Sequence, residues 1–141
     1  MFEIKVVRER RQGYGPLRQL RDAKDIYEAF RAHFEPMDRE QFLAVILDGR
    51  NQVVGFNLVA VGTLTSALVH PREVFKAAIL ANAAAIILVH NHPSGDPEPS
   101  AEDKALTTRL AQAGELLGIR VLDHVVIGDG RFRSLAVEGL L

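Results

Sequence analysis

The order of apolar and polar side chains divides the chain into alternating helical and extended stretches. Ala23, Ile26, Tyr27 and Phe30 recur at helical spacing behind a plausible N-cap, Asp22, so a helix is predicted from there to about Phe34, with Pro36 stopping it. Phe42 to Leu47 and Gln52 to Val61 are β-rich runs on either side of Asp48-Gly49-Arg50-Asn51, which favours a tight turn and makes them a hairpin. Further strands are predicted at Leu64 to Val69 and, as a short edge, at Phe2 to Val7, the latter followed by a loop over Gln12 to Pro16. Pro71 suits the first turn of a second helix reaching about Asn82, with Val74, Phe75, Ala78, Ile79 and Ala81 on its buried side. Ala85-Ile86-Ile87-Leu88-Val89 has no alternation, as expected of a central strand covered on both faces. Leu106, Leu110, Ala113 and Leu117, closed by Gly118, predict a helix over Ala101 to Leu117. Val121 to Ile127 and Phe132 to Val137 form a last hairpin around Gly128-Asp129-Gly130. No repeat, linker or low-complexity tract appears, so residues 1–141 read as one α/β domain.

Composition narrows the chemistry. With 141 residues, 48% of them hydrophobic, the chain can bury a core of its own. It has no cysteine, which excludes disulfides, thiolate metal sites and cysteine nucleophiles, so any metal must be held by nitrogen and oxygen. A net charge of −1 leaves no overall footprint for nucleic acid, although Arg8, Arg10, Arg11, Arg18 and Arg21 make the opening segment locally basic. Such a cluster is more often a solvated face than a binding patch. No apolar run approaches the roughly 20 residues that cross a bilayer, and Met1 to Lys5 lacks the layout of a secretion signal, so a soluble cytoplasmic protein is expected.

The segment "HNHPSGDPEPSAED", His90 to Asp103, carries the candidate chemistry. His90 and His92, two residues apart at the end of an extended run, leave the same face and can reach one point. Ser100 is a good N-cap, which puts the Asp103 carboxylate in the first turn of the following helix. Pro93, Pro97 and Pro99 stiffen the connection between the two. Two histidines and a carboxylate make a catalytic zinc set with one position left for water, whose pKa such an ion lowers from about 15.7 towards 7. Capping alone would explain Ser100-Ala101-Glu102-Asp103. It would not explain two histidines on one face at the end of an apolar strand.

His-x-His, seven residues, Ser, two residues, Asp resembles the signature of the JAMM metalloproteases, the catalytic branch of the MPN (JAB) domains, at His90, His92, Ser100 and Asp103. With "GTLTSALVHPREVFKAAILANAAAIILVHNHPSG" before it and "LLGIRVLDHVVIGDG" after, the chain is more closely similar to the bacterial RadC-type proteins, from about Glu40 to the C-terminus. Residues 1–35 form a divergent strand and helix, patterned unlike the helix-hairpin-helix segment of longer RadC proteins. The resemblance implies an α/β (α+β) MPN/JAB fold, a mixed central sheet flanked by helices and layered like cytidine deaminases. It also implies zinc held by His90, His92 and Asp103, and a Ser100 hydroxyl that donates to the oxyanion of the tetrahedral intermediate. Glu40, just before a strand, takes the family's place for the base that moves a proton from water to the leaving amine, with Glu35, Glu73 and Glu98 as competitors. The implied activity is hydrolysis of a peptide or isopeptide bond in a peptide or protein substrate. The alternative is a non-catalytic MPN-like module binding a protein or DNA partner in a repair-related role.

Other residues carry weaker expectations. Asn91 should face away from the histidines that flank it and orient something by hydrogen bonding. His124 beside Asp123 could support the site, although a strand histidine satisfied by its surroundings is the commoner case. His33 and His70 have no positional argument. The letters HNH match a nuclease class that spreads these residues over a ββα unit, and zinc deaminases need His-x-Glu with paired cysteines, absent here. Oligomeric state is not legible.

Overall fold

A computed structural model describes residues 1–5, 7–10, 22–65 and 68–141. The elements run α1 (Ala23–Phe34), β1 (Gln41–Leu47), β2 (Val53–Val61), α2 (Pro71–Leu80), β3 (Ala85–Asn91), α3 (Ala101–Leu117), β4 (Arg120–Ile127) and β5 (Phe132–Ser134). The strands form one sheet in the order β2-β1-β3-β4-β5. Only β3 and β4 run parallel, joined by the crossover through α3, while the other neighbours are antiparallel. This is the mixed α/β domain expected, with a five-stranded sheet flanked by three helices among the described residues.

Alternation along the central strands builds two cores. Phe42, Ala44, Ile46, Ile86 and Leu88 face α2 and α3, where Val74, Phe75, Leu106 and Leu110 meet them. Leu43, Val45, Leu47, Ile87 and Val89 face Ile26, Phe30 and Phe34 of α1. All of β3 is therefore buried, and each fully buried Leu or Phe contributes about 1.5–3 kcal/mol. The strand has no solvated side and needs no polar alternation.

The caps work as predicted at both long helices. The Asp22 carboxylate accepts the Asp25 N–H at 3.1 Å, and α3 ends at Gly118 with φ 71°. The first hairpin closes as expected, its Asp48 carboxylate accepting the N–H groups of Arg50 and Gln52. α2 stops at Leu80, before Asn82 turns left-handed at φ 55°.

Three predicted strands are corrected. The described part of Phe2 to Val7 is not a strand: Phe2, Ile4 and Val7 are exposed, with no packing to hold an edge. The described part of Leu64 to Val69 is a turn, in which Thr65 accepts the N–H of Val69 through its carbonyl and that of Leu68 through its hydroxyl. The strand from Phe132 ends at Ser134 rather than Val137, because Asp123 takes the Ser134 hydroxyl and the Ala136 N–H and bends the chain. The loop at Gln12 to Pro16 and Arg11, Arg18 and Arg21 lie outside the described residues, while Arg8 and Arg10 are exposed. Among the described residues no helix is long and apolar enough to cross a membrane.

Candidate metal centre

Three chain segments meet beyond the carboxyl end of β3, a usual place for a site in a sheet with parallel strands. His90 is fully buried on the α2/α3 face, its ring stacked on Phe42 with centroids 5.8 Å apart. His92 lies just past the strand, its N–H donated to the Ile127 carbonyl. The two Nε2 atoms stand 3.0 Å apart. From α3, Asp103 brings one carboxylate oxygen to 3.1 Å from His92 Nε2 and the other to 3.5 Å from His90 Nε2. Glu40, one residue before β1, has a carboxylate oxygen 3.7 Å from His92 Nε2. Glu40, His90 and His92 each offer a ligand atom within 4.8 Å of the others and could hold a metal ion.

Hydrogen bonds fix where the protons sit. A carbonyl only accepts, so the Thr107 hydroxyl donates to the Asp103 carbonyl at 2.7 Å. Its oxygen then accepts from His124 Nδ1–H at 2.6 Å. His124 Nε2 is left as an acceptor and takes the Nδ1–H of His90, also at 2.6 Å. His90 therefore presents an unprotonated Nε2. His124 fits this role, since burial, and then the adjoining His90, push its pKa well below the ordinary imidazole value. By the same reasoning His92 donates Nδ1–H to the Asp96 carbonyl at 2.8 Å and presents an Nε2 lone pair.

Two imidazole lone pairs and two carboxylates thus point into one small space, and only a proton or a cation can relieve their repulsion. The hydrogen bond to Asp103 raises the His92 pKa against the opposing effect of burial. Burial pushes the Asp103 carboxyl up, but the neighbouring imidazoles of His90 and His92, together with the Ser100 N–H, overrule it and hold that carboxyl well below the usual range. An all-nitrogen-and-oxygen donor set of this kind fits zinc.

Capping and ligation prove compatible. Ser100 Oγ accepts the Asp103 N–H at 3.0 Å, and the Asp103 carboxylate accepts the Ser100 N–H at 2.9 Å, a reciprocal box that also locks the carboxylate's direction. The competing glutamates are engaged elsewhere or stand apart: Glu73 pairs with Lys76 at 3.0 Å, and Glu98 pairs with Arg133, which also holds Glu138. Glu35 lines a cleft of about 420 Å³ that opens beside His92, between Tyr27, Arg31 and Phe34 on one side and Gly128 on the other. His33 bonds Gln41, and His70 caps α2. Asn91 turns away from its neighbours, as expected, and bonds the chain around Glu40.

The sequence left His124 among the commoner strand histidines and did not single out Thr107. The reason is a bulge. Ile86 pairs with Val121 but Ile87 with Asp123, so Leu122 is an extra residue and His124 faces the same side as Val121, three positions away. Strict alternation would have sent it to the opposite core. Thr107, one turn after Asp103, could have been found from helix spacing.

A model of the RadC-like JAB domain family matches residues 20–140. The chain belongs to that family. The match takes in α1, ahead of Glu40, where the motif resemblance begins. The RadC-like domain is 52% identical to a UPF0758 protein of Desulforamulus reducens over 122 residues, 86% of this chain and 54% of the relative. It is 46% identical to one of Methanosarcina acetivorans over 126 residues, 89% of this chain and 55% of the relative. A UPF0758 protein of Desulforudis audaxviator is 60% identical over 103 residues, 73% of this chain and 45% of its own length. The RadC-like chain spans about half the length of these curated relatives.

Proposed function

We propose that this RadC-like JAB domain is a zinc-dependent hydrolase of peptide or isopeptide bonds. The observation that carries the reading is the convergence of two oriented Nε2 lone pairs and two carboxylates at the end of β3. His90, His92 and Asp103 would hold the ion. Asp103 is the better third ligand than Glu40 because it lies nearer to His92 Nε2, 3.1 against 3.7 Å, and its side chain is 8% rather than 29% exposed. A bound zinc ion acts as a Lewis acid and lowers the pKa of water towards 7.

Glu40 then serves as the base, taking a proton from water and returning it to the leaving amine. Its partial exposure leaves the carboxylate within reach of water. The Ser100 hydroxyl, whose oxygen already accepts from Asp103 N–H, donates its hydrogen to the developing oxyanion. The cleft beside His92 gives an extended peptide or protein segment room to lie along α1.

The test is elemental analysis of zinc-reconstituted protein together with turnover on blocked peptides and isopeptide-linked substrates. Glu40→Gln should keep zinc and fall to a small residual rate, and Asp103→Asn should lose both zinc and turnover. Undiminished turnover in Glu40→Gln overturns the mechanism, and failure of the unmodified protein to hold zinc overturns the whole reading.

A further inference from the structure

Asn91 sits between the two histidines and takes no part in their cluster. It is only 3% exposed. Its amide reaches across to the start of β1, where Oδ1 accepts the Gln41 N–H at 2.6 Å and Nδ2 donates to the Arg39 carbonyl at 3.0 Å. Those two backbone groups bracket Glu40. The Glu40 carbonyl in turn accepts the Gly62 N–H at 2.8 Å, so the main chain is held on both sides while the carboxylate stays free to face His92.

The bridge begins where the main-chain ladder ends. β1 and β3 pair antiparallel from Leu47–Ala85 as far as Phe42–His90 and no further. Beyond that pair the Asn91 side chain replaces the missing backbone bonds and extends the hold over Arg39 to Gln41. It also must be an amide. Gln41 N–H requires an acceptor and Arg39 C=O a donor from one short side chain, a combination aspartate and alanine cannot supply.

We propose that Asn91 is a positioning residue for Glu40: through its two backbone hydrogen bonds it sets where the Glu40 carboxylate stands relative to His90 and His92. One tripeptide, His90 to His92, would then align two metal ligands and, across the sheet, the base. The proposal rests on the hydrolase reading for the base's role, but the positional claim is measurable without turnover.

The experiment compares zinc-loaded full chains carrying Asn91→Asp, which sets a carboxylate oxygen against the Arg39 carbonyl, and Asn91→Ala, which removes both bonds without adding charge and covers the case in which the aspartate variant fails to fold. Zinc content should be unchanged, and amide hydrogen exchange should accelerate at Gln41 but not at Val45 in mid-strand. Crystals of the variants should show the Glu40 carboxylate displaced by about 1 Å with the histidines in place, a misplacement that can lower kcat about 100-fold. KM should not change. In a Glu40→Gln background the same substitutions should lower the residual rate no further. Unchanged exchange at Gln41, an undisplaced Glu40, or a kcat loss that persists without the Glu40 carboxylate overturns the proposal. Absence of turnover in the unmodified protein sinks the hydrolase reading instead, and leaves exchange and crystallography to decide the positional claim.

Discussion

Gly128 packs so tightly against the Gly95 carbonyl that a β-carbon at Gly128 would lie 2.3 Å from that oxygen and 2.8 Å from Pro97 Cδ. The same carbonyl accepts the Asp129 N–H at 2.8 Å and the Arg131 guanidinium at 3.3 Å. The turn between β4 and β5 is thereby a backstop for the loop whose Asp96 carbonyl orients His92. Gly128→Ala must push that loop away. The expected cost is about 1–3 kcal/mol of stability from overpacking and about a tenfold loss of zinc affinity as His92 loses its orienting partner. Thermal melts and chelator competition measure the two, and unchanged affinity in a destabilised variant would show that the loop does not align the histidine.

A second prediction concerns the proton chain from Thr107 through His124 to His90. His124→Phe keeps an aromatic volume but leaves His90 Nδ1–H buried without an acceptor, at a cost of about 1–3 kcal/mol. Freed to adopt the other tautomer, His90 would present a protonated Nε2 to the site, and zinc affinity should fall about 10–100-fold. Nitrogen-15 NMR of the unmodified, metal-free protein should find the His90 proton on Nδ1. A proton on Nε2 would break the chain of donors and acceptors on which the proposed metal centre depends.

Why some of this was legible and some was not follows from the range of the interactions involved. α1 and α3 could be bounded in the sequence because Asp22, Ser100 and Gly118 act within one turn of the helices they cap. The convergence of His90 and His92 follows from alternation along one strand, and the place of Asp103 from its distance to a cap. Strands are another matter, since they exist only with a partner: Phe2 to Val7 has a suitable pattern and nothing described beside it, and the end of β5 is set by Asp123 from the neighbouring strand. The bulge at Leu122 is equally non-local and concealed His124. Glu40 comes near the histidines only because β1 pairs antiparallel with β3 in one register, so no local pattern could pick it out and the family resemblance was needed.

Ser100 invites a test that separates its two roles. As an N-cap its oxygen accepts the Asp103 N–H, and as an oxyanion donor its hydrogen would act on substrate. Glycine is a tolerable N-cap, so Ser100→Gly should cost only a few tenths of a kcal/mol, whereas Ser100→Ala should cost about 1 kcal/mol. If the serine merely caps, turnover follows stability and the alanine variant is the more impaired. If the hydroxyl steadies the oxyanion, both variants lose about 10²–10³-fold in kcat, because each lacks the same donor. KM and zinc content should change little in either case, since the Asp103 carboxylate keeps its bond to the residue-100 N–H. Equal kinetic losses at unequal stabilities, read from melts and steady-state rates on the same preparations, would assign the effect to the hydroxyl. Losses ranked by stability would return Ser100 to a purely structural role.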